Sequence, residues 1–322
     1  MKLLQINIFC TDSKLHRLPF TIKQFEELKK LQYKENICVA IHGEAGIINS
    51  WENYLKLNGT NKLRVQLCQH STSFYMLKVY LAQSSEYTYS CKLDDDVFVP
   101  LKVWEYLIDN LHNITQQTPI LSPILTNGIP SVEFFIKDFL TIEQQVEATK
   151  LLLTTGTIIE NQWGLDYSDV NKKISTFNEW PVLGKDYWKF METVDTKWDQ
   201  NNVPWYYKIV RGVHPARFSE EYNMYVARAI ISNRDRFFNP INLSLEPYEA
   251  PYFTNNMFIS RTDYWKKTTP LFDDGFDEGQ LTLQKDLDKS KILYTRNGYG
   301  IHMAYGMTAN QLNIENFYIT HL

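Results

Sequence analysis

Three consecutive carboxylates, Asp94, Asp95 and Asp96, stand between the run Tyr87-Thr88-Tyr89-Ser90-Cys91-Lys92-Leu93 and the apolar triplet Val97-Phe98-Val99, with Pro100 closing the extended structure. The pattern reads as a strand whose exit loop carries the acids. Adjacent carboxylates repel one another, so a fold keeps them together when a cation or a ring of donors offsets their charge. A hard divalent ion such as Mg²⁺ takes one or two protein carboxylates and completes its shell with water and phosphate oxygens, which makes a diphosphate the expected ligand. Acidic triplets also occur as solvated surface turns. Position separates the two readings here: one apolar segment runs into the acids and another runs out. In open α/β sheets, ligands sit beyond the carboxyl ends of the strands, where these aspartates would lie.

The elements around this segment alternate. Leu3 to Phe9 reads as a first strand, Thr21 to Tyr33 as a helix with Thr21 at its N-cap, and Ile37 to Ile41 as a short buried strand. A helix over 47–57, a strand over 63–68, a helix over 73–83 and the strand leading into the acids follow. Regular alternation predicts an α/β fold with a mostly parallel sheet, flanking helices and right-handed crossovers. Neither Gly-x-Gly-x-x-Gly nor a Gly-Lys-Ser/Thr loop is present, so a cation on the acids would have to hold the phosphates. Downstream, a helix is expected over 100–111, a strand over 120–125, and helices over 141–153 and 222–232. Residues 155–250 carry weak periodicity apart from that last helix and the strand-like run 205–215. A strand over 252–260, the acidic loop 272–281 and the glycine-rich segment Asn297 to Gly306 around His302 close the series.

Composition bounds the partners. With 322 residues and 44% hydrophobic side chains the chain can bury one large core or two closely joined ones. We expect residues 1–125, which carry the three acids, to form one half and residues 126–322 the other, closely joined. Lys+Arg 33 against Asp+Glu 37 leaves a net charge of −4, without the global basic character that drives non-specific nucleic-acid binding. Cys10, Cys38, Cys68 and Cys91 make no Cys-x-x-Cys pair and read as small buried residues in a reducing compartment. The first residues are too polar for a signal peptide and no apolar run reaches membrane-spanning length, so a cytoplasmic protein is expected.

The segment Lys92-Leu93-Asp94-Asp95-Asp96-Val97-Phe98-Val99 resembles the Asp-x-Asp segment of GT-A glycosyltransferases, in the form found in the β-1,3-galactosyltransferase-like group. Leu77-Lys78 matches the Leu-Lys of the preceding helix in that group. The resemblance implies a GT-A fold and a metal-dependent transfer of a hexosyl or pentosyl group, with inversion, from a UDP-sugar to a glycan or other hydroxyl, with 1–125 as the nucleotide-sugar-binding half and 126–322 as the acceptor-binding, metal-completing half. It assigns Asp94 to the ribose and uridine side of the donor and Asp96 to Mn²⁺ or Mg²⁺, with Asp94 and His302 completing the metal site. Asp95, Lys78, Phe9 and Thr11 complete the donor-binding set. Asp277-Glu278-Gly279-Gln280-Leu281 resembles the Glu-Asp-x-x-Leu element that supplies the catalytic base, with its two acids in swapped order, which places Glu278 at the base and Asp277 beside it.

Those roles also suit the residue chemistry. Sugar transfer needs a cation on the departing diphosphate and a carboxylate to take the acceptor's proton. Against them stand a helix N-terminus that favours acids at 277–278 and a structural histidine at 302. His214 and His321 are weaker metal candidates. Trp205, Tyr206, Arg211 and Arg217 are either acceptor contacts or packing residues. Three rival functions remain open at this point: a glycosyltransferase acting on hydroxymethylated phage DNA, a metal-dependent nucleotidyltransferase or phosphohydrolase, and a silent nucleotide-sugar-binding protein.

Overall fold

The computed structural model describes residues 2–70, 86–127, 132–154, 220–248, 256–267, 289–303 and 311–322. The expected elements at 73–83, 205–215 and 272–281 lie outside them. The first half of the sheet follows the predicted alternation. Strands β1 (Leu4–Phe9), β2 (Ile37–Gly43), β3 (Arg64–Gln69) and β4 (Tyr89–Asp94) run parallel in the order β3-β2-β1-β4. A two-residue strand, β5 (Val97–Phe98), follows the acids, and β6 (Ile120–Leu125) occupies the predicted residues.

The second half of the chain completes the sheet. Strand β8 (Met257–Arg261) runs antiparallel between β4 and β6, while β9 (Ile292–His302) runs parallel to β6 and takes β7 (Ser244–Tyr248) and β5 along its other edge. The last strand of residues 1–125 therefore finds both its sheet partners beyond residue 126.

Strand parity sorts the side chains. Leu4, Ile6 and Ile8 of β1 share one face with Ile37, Val39 and Ile41 of β2, Cys91 and Leu93 of β4, and Met257 and Ile259 of β8. That face is covered by helices α1 (Leu18–Leu28), α2 (Ala45–Asn58) and α3 (Leu101–Asp109) through Phe25, Trp51 and Trp104. The opposite parity carries Asn7, Phe9, His42, Lys92 and Asp94, a polar face where a uniformly apolar one would suit a parallel sheet. A second apolar cluster lies farther along the sheet. It packs Phe258, Ile292 and Tyr294 against α4 (Ile142–Thr154), α5 (Glu220–Ser232) and α6 (Gln311–His321).

Two local expectations change. Helix α1 begins at Leu18, three residues before Thr21, because Pro19 fixes the backbone torsion of the first turn. Thr21 is therefore inside the helix, and its hydroxyl lies 3.0 Å from the Asp95 carbonyl, which it ties to α1. The segment Asn297-Gly298-Tyr299-Gly300 is part of β9, bulged so that Thr295 faces Pro123 and Tyr299 faces Ile124. Asn297 takes a φ of 60° inside the bulge, a left-handed conformation that asparagine tolerates better than most residues.

Candidate active site

Asp95 and Asp96 make the turn between β4 and β5, and β5 pairs Val97 with His302 at the far end of β9. The Met303 amide donates to the Asp96 carbonyl over 2.7 Å. A two-residue strand thus carries His302 to the acids across the chain. The Asp96 and His302 side chains are 6% and 2% exposed, and His302 Nε2 lies 3.6 Å from Asp96 Oδ1.

That separation is too long for a hydrogen bond. Asp96 Oδ1 is buried with no hydrogen-bond partner among the described residues, whereas Oδ2 accepts from Arg17 Nη1 over 2.8 Å. His302 Nδ1 lies 2.5 Å from Asn127 Oδ1. Asn127 directs its own amide nitrogen to Asn223 Oδ1 and the His302 carbonyl, so its oxygen accepts and His302 carries the proton on Nδ1. The Nε2 atom of the same ring faces Asp96. A histidine whose far nitrogen is fixed by an amide oxygen, facing a carboxylate oxygen without a hydrogen bond among the described residues, offers two donors that a metal ion could take.

Arg17 supplies the positive charge. It ends the 3₁₀ segment Asp12–Arg17, is 2% exposed, and also reaches Asp95 Oδ1 over 3.3 Å. Burial and then the neighbouring Asp96 push the Asp95 carboxyl up to about 7, against the opposing pull of Arg17. Burial raises Asp96 as well, but His302 and Arg17 together outweigh it and bring that group down to about 2, so Asp96 is the ionised member of the pair.

Asp94, the last residue of β4, keeps the parity of Lys92. Its oxygens lie 2.9 and 3.1 Å from Lys92 Nζ, and Asn256 Nδ2 donates to it over 3.3 Å. Among the described residues, no group of three or more histidine, cysteine, aspartate or glutamate side chains is placed to hold a metal. Asp94, also an expected ligand, stands on the Lys92 and Asn256 side of the same turn. Asp96 and His302 face each other where they could hold an ion whose remaining positions a diphosphate and water would fill, which fits Mn²⁺ or Mg²⁺.

Phe9 is the register partner of Asp94 at the end of β1, its ring buried 5.0 Å from His42. The Thr11 hydroxyl sits 3.1 Å from that of Ser13, just past the same strand end. Lys78, Asp277, Glu278, Trp205, Tyr206, Arg211, His214 and Arg217 lie outside the described residues. His321 is apart from the acids in its contacts: it stacks on Phe317 at 4.3 Å, one turn back in α6.

Arg17, Glu315, Asn127 and Asn256 stand around the acids and His302 without belonging to any motif. Arg17 and Asn256 carry no local signal. Glu315 does carry one, because it interrupts the buried stripe of Ile314 and Tyr318, where an acid needs a partner.

No protein-family profile and no curated protein sequence matches the chain. Among solved structures, Staphylococcus aureus TarS 1–349 in complex with UDP-GlcNAc is 13% identical with a TM-score of 0.29, over 38% of this chain and 34% of that one. GalNAc-T7 with UDP, GalNAc and Mn²⁺ is 10% identical with a TM-score of 0.45, over 93% of this chain and 43% of that one. Mouse xyloside xylosyltransferase 1, in its apo form, is 14% identical with a TM-score of 0.27, over 37% and 51%. The chain thus spans about a third of the TarS chain it matches and about two fifths of GalNAc-T7. Among the described residues, no helix is long and apolar enough to cross a membrane.

Proposed function

We propose that the chain is a metal-dependent GT-A glycosyltransferase that moves a sugar, with inversion, from a UDP-sugar to a glycan or other hydroxyl-bearing acceptor. One observation carries the reading: the buried, unsatisfied Asp96 Oδ1 opposite His302 Nε2, beyond the carboxyl ends of parallel strands. Asp96 and His302 would hold Mn²⁺ or Mg²⁺, and the ion, when bound, neutralises the charge that develops on the departing diphosphate. Arg17 keeps Asp96 ionised and Asn127 keeps the His302 lone pair aimed inward. Asp94, Asp95 and the backbone ends at Phe9 and Thr11 take the donor's nucleoside side, with Lys78 as a further donor contact. Glu278 takes the acceptor's proton, with Asp277 beside it. The free thiols of Cys10, Cys38, Cys68 and Cys91 support a reducing, cytoplasmic setting.

The test is a melting-temperature panel of nucleoside diphosphates and nucleotide sugars with and without Mn²⁺, because a ligand that binds the folded chain raises its stability by mass action. A rise with UDP or a UDP-sugar that requires Mn²⁺ supports the reading, and no response to any member sinks it. Release of pyrophosphate or phosphate without sugar transfer would move the chain to the nucleotidyltransferase or phosphohydrolase class. Transfer to hydroxymethylated DNA would identify a nucleic-acid acceptor.

A further inference from the structure

Arg17 and Glu315 form a buried device that the metal pair does not itself require. The Arg17 fork spans two elements far apart in sequence. Nη1 donates to Asp96 Oδ2 at 2.8 Å, while Nε and Nη2 lie 2.8 and 2.5 Å from Glu315 Oε1. The Glu315 side chain is 1% exposed on α6, and its other oxygen, Oε2, lies 2.6 Å from His16 Nε2. Both edges of a rigid planar guanidinium are thereby fixed. With its far edge pinned by α6, the near edge must meet Asp96.

We propose that Glu315, acting through Arg17, is a positioning residue that confines Asp96 to one-oxygen metal coordination and so discriminates against Ca²⁺. The inference rests on the metal-dependent reading above. Its physical basis is the occupancy of Oδ2: a carboxylate with one oxygen engaged in a buried charge-assisted hydrogen bond offers an ion only the other. Ca²⁺ favours six to eight oxygens and often takes a carboxylate through both, whereas Mg²⁺ is content with single oxygens in an octahedron. An Asp96 released from Arg17 could turn both oxygens to the ion, and its Oδ1 would lose the fixed aim at His302.

The experiment titrates Mn²⁺ alone into the full chain, followed by electron paramagnetic resonance, with Ca²⁺ and Mg²⁺ as competitors. Glu315→Met, which keeps the side-chain length and removes the acceptor oxygens, and Arg17→Lys, which replaces the fork by a single ammonium, are compared with the unmodified protein after thermal melts without metal confirm folding. Both variants are expected to bind Mn²⁺ about 10-fold or more weaker, the range found when outer partners of metal ligands are changed, and to compete Ca²⁺ less well. Folded variants with unchanged Mn²⁺ affinity and unchanged Ca²⁺ discrimination overturn the inference and leave the glycosyltransferase reading standing. A measurement that needs no variant also decides it, since Ca²⁺ displacing Mn²⁺ from the unmodified chain at equal concentration overturns the clamp. Failure of the unmodified chain to bind Mn²⁺ in the presence or absence of UDP overturns both.

Discussion

His42 Nδ1 lies 3.1 Å from His70 Nε2, with the two rings stacked 5.3 Å apart. On its other side His42 Nε2 is 3.0 Å from Asn7 Oδ1, and Asn7 spends its amide nitrogen on the Cys91 carbonyl. His42 therefore donates from Nε2 and, with the ring neutral, accepts at Nδ1 from His70. Burial, and then His70, lower its pKa to about 3.

A pH dependence follows from that tautomer. Between about pH 3 and the ordinary value near 6.5, the unfolded chain binds a proton at His42 that the folded chain refuses, so this residue's contribution to stability falls as pH falls through that window. The slope is roughly 1.4 kcal/mol per pH unit at its steepest. Asp95, raised to about 7, pulls the other way. The diagnostic is thus a difference: urea midpoints at pH 7.5, 6.5 and 5.5 should show the unmodified chain losing stability relative to His42→Gln. Parallel curves for the two proteins would count against a neutral His42.

Asp96→Asn keeps the side-chain volume and removes the charge. We expect it to lose the Mn²⁺-dependent rise in melting temperature with UDP and to lower turnover by on the order of 10²-fold or more. Calorimetry of UDP with and without Mn²⁺ checks the first part, and a variant that still binds UDP only with Mn²⁺ contradicts the site.

Glu278→Gln separates chemistry from binding. If Glu278 takes the acceptor's proton, the variant binds UDP and Mn²⁺ as the parent does, while transfer falls by about 10²- to 10⁴-fold, the usual worth of a positioned base. Equal loss of binding and transfer would place Glu278 on the donor side instead.

Asn127→Ala removes the oxygen that orients His302 and leaves the amide of Asn223 and the His302 ring to find new partners. The expected cost is about 1–3 kcal/mol in folding and about 10- to 100-fold in Mn²⁺ affinity. Chemical denaturation and a metal titration read the two effects separately, and an intact Mn²⁺ affinity would remove Asn127 from the site.

Trp51→Ala is the contrasting case. Trp51 is fully buried and meets Phe25 and Tyr54 edge-on, at 5.3 and 5.5 Å. Its loss should cost about 3–5 kcal/mol with Mn²⁺ affinity preserved in the folded fraction, which denaturant midpoints and the same titration would show.

The first half of the sheet was readable because its strands are short apolar runs bounded by polar loops, and β6 was placed to the residue. The acids were readable for the same reason, since an apolar run leads into them and another leads away. Three elements were not. Pro247 breaks the strand pattern of β7, yet β7 pairs only with β9 among the described residues, an edge where a missing amide costs little. The Asn-Gly of β9 looks like a turn and is a bulge. Helix α6 buries Ile314, Glu315 and Tyr318 together, so its stripe includes a charge. Arg17 was hidden for a more general reason. A lone arginine two residues before a proline resembles any surface residue until folding brings a carboxylate to each edge of its guanidinium.

The insertion of β8 between β4 and β6 has a consequence for biosynthesis. A ribosome must deliver the chain through residue 261 before β4 acquires its second neighbour, and through residue 302 before the acid turn meets its histidine. Until then the nascent polypeptide carries bare strand edges and a cluster of like charges, the kind of intermediate that folding chaperones retain. The acid turn and its histidine therefore meet late in the emergence of the described residues.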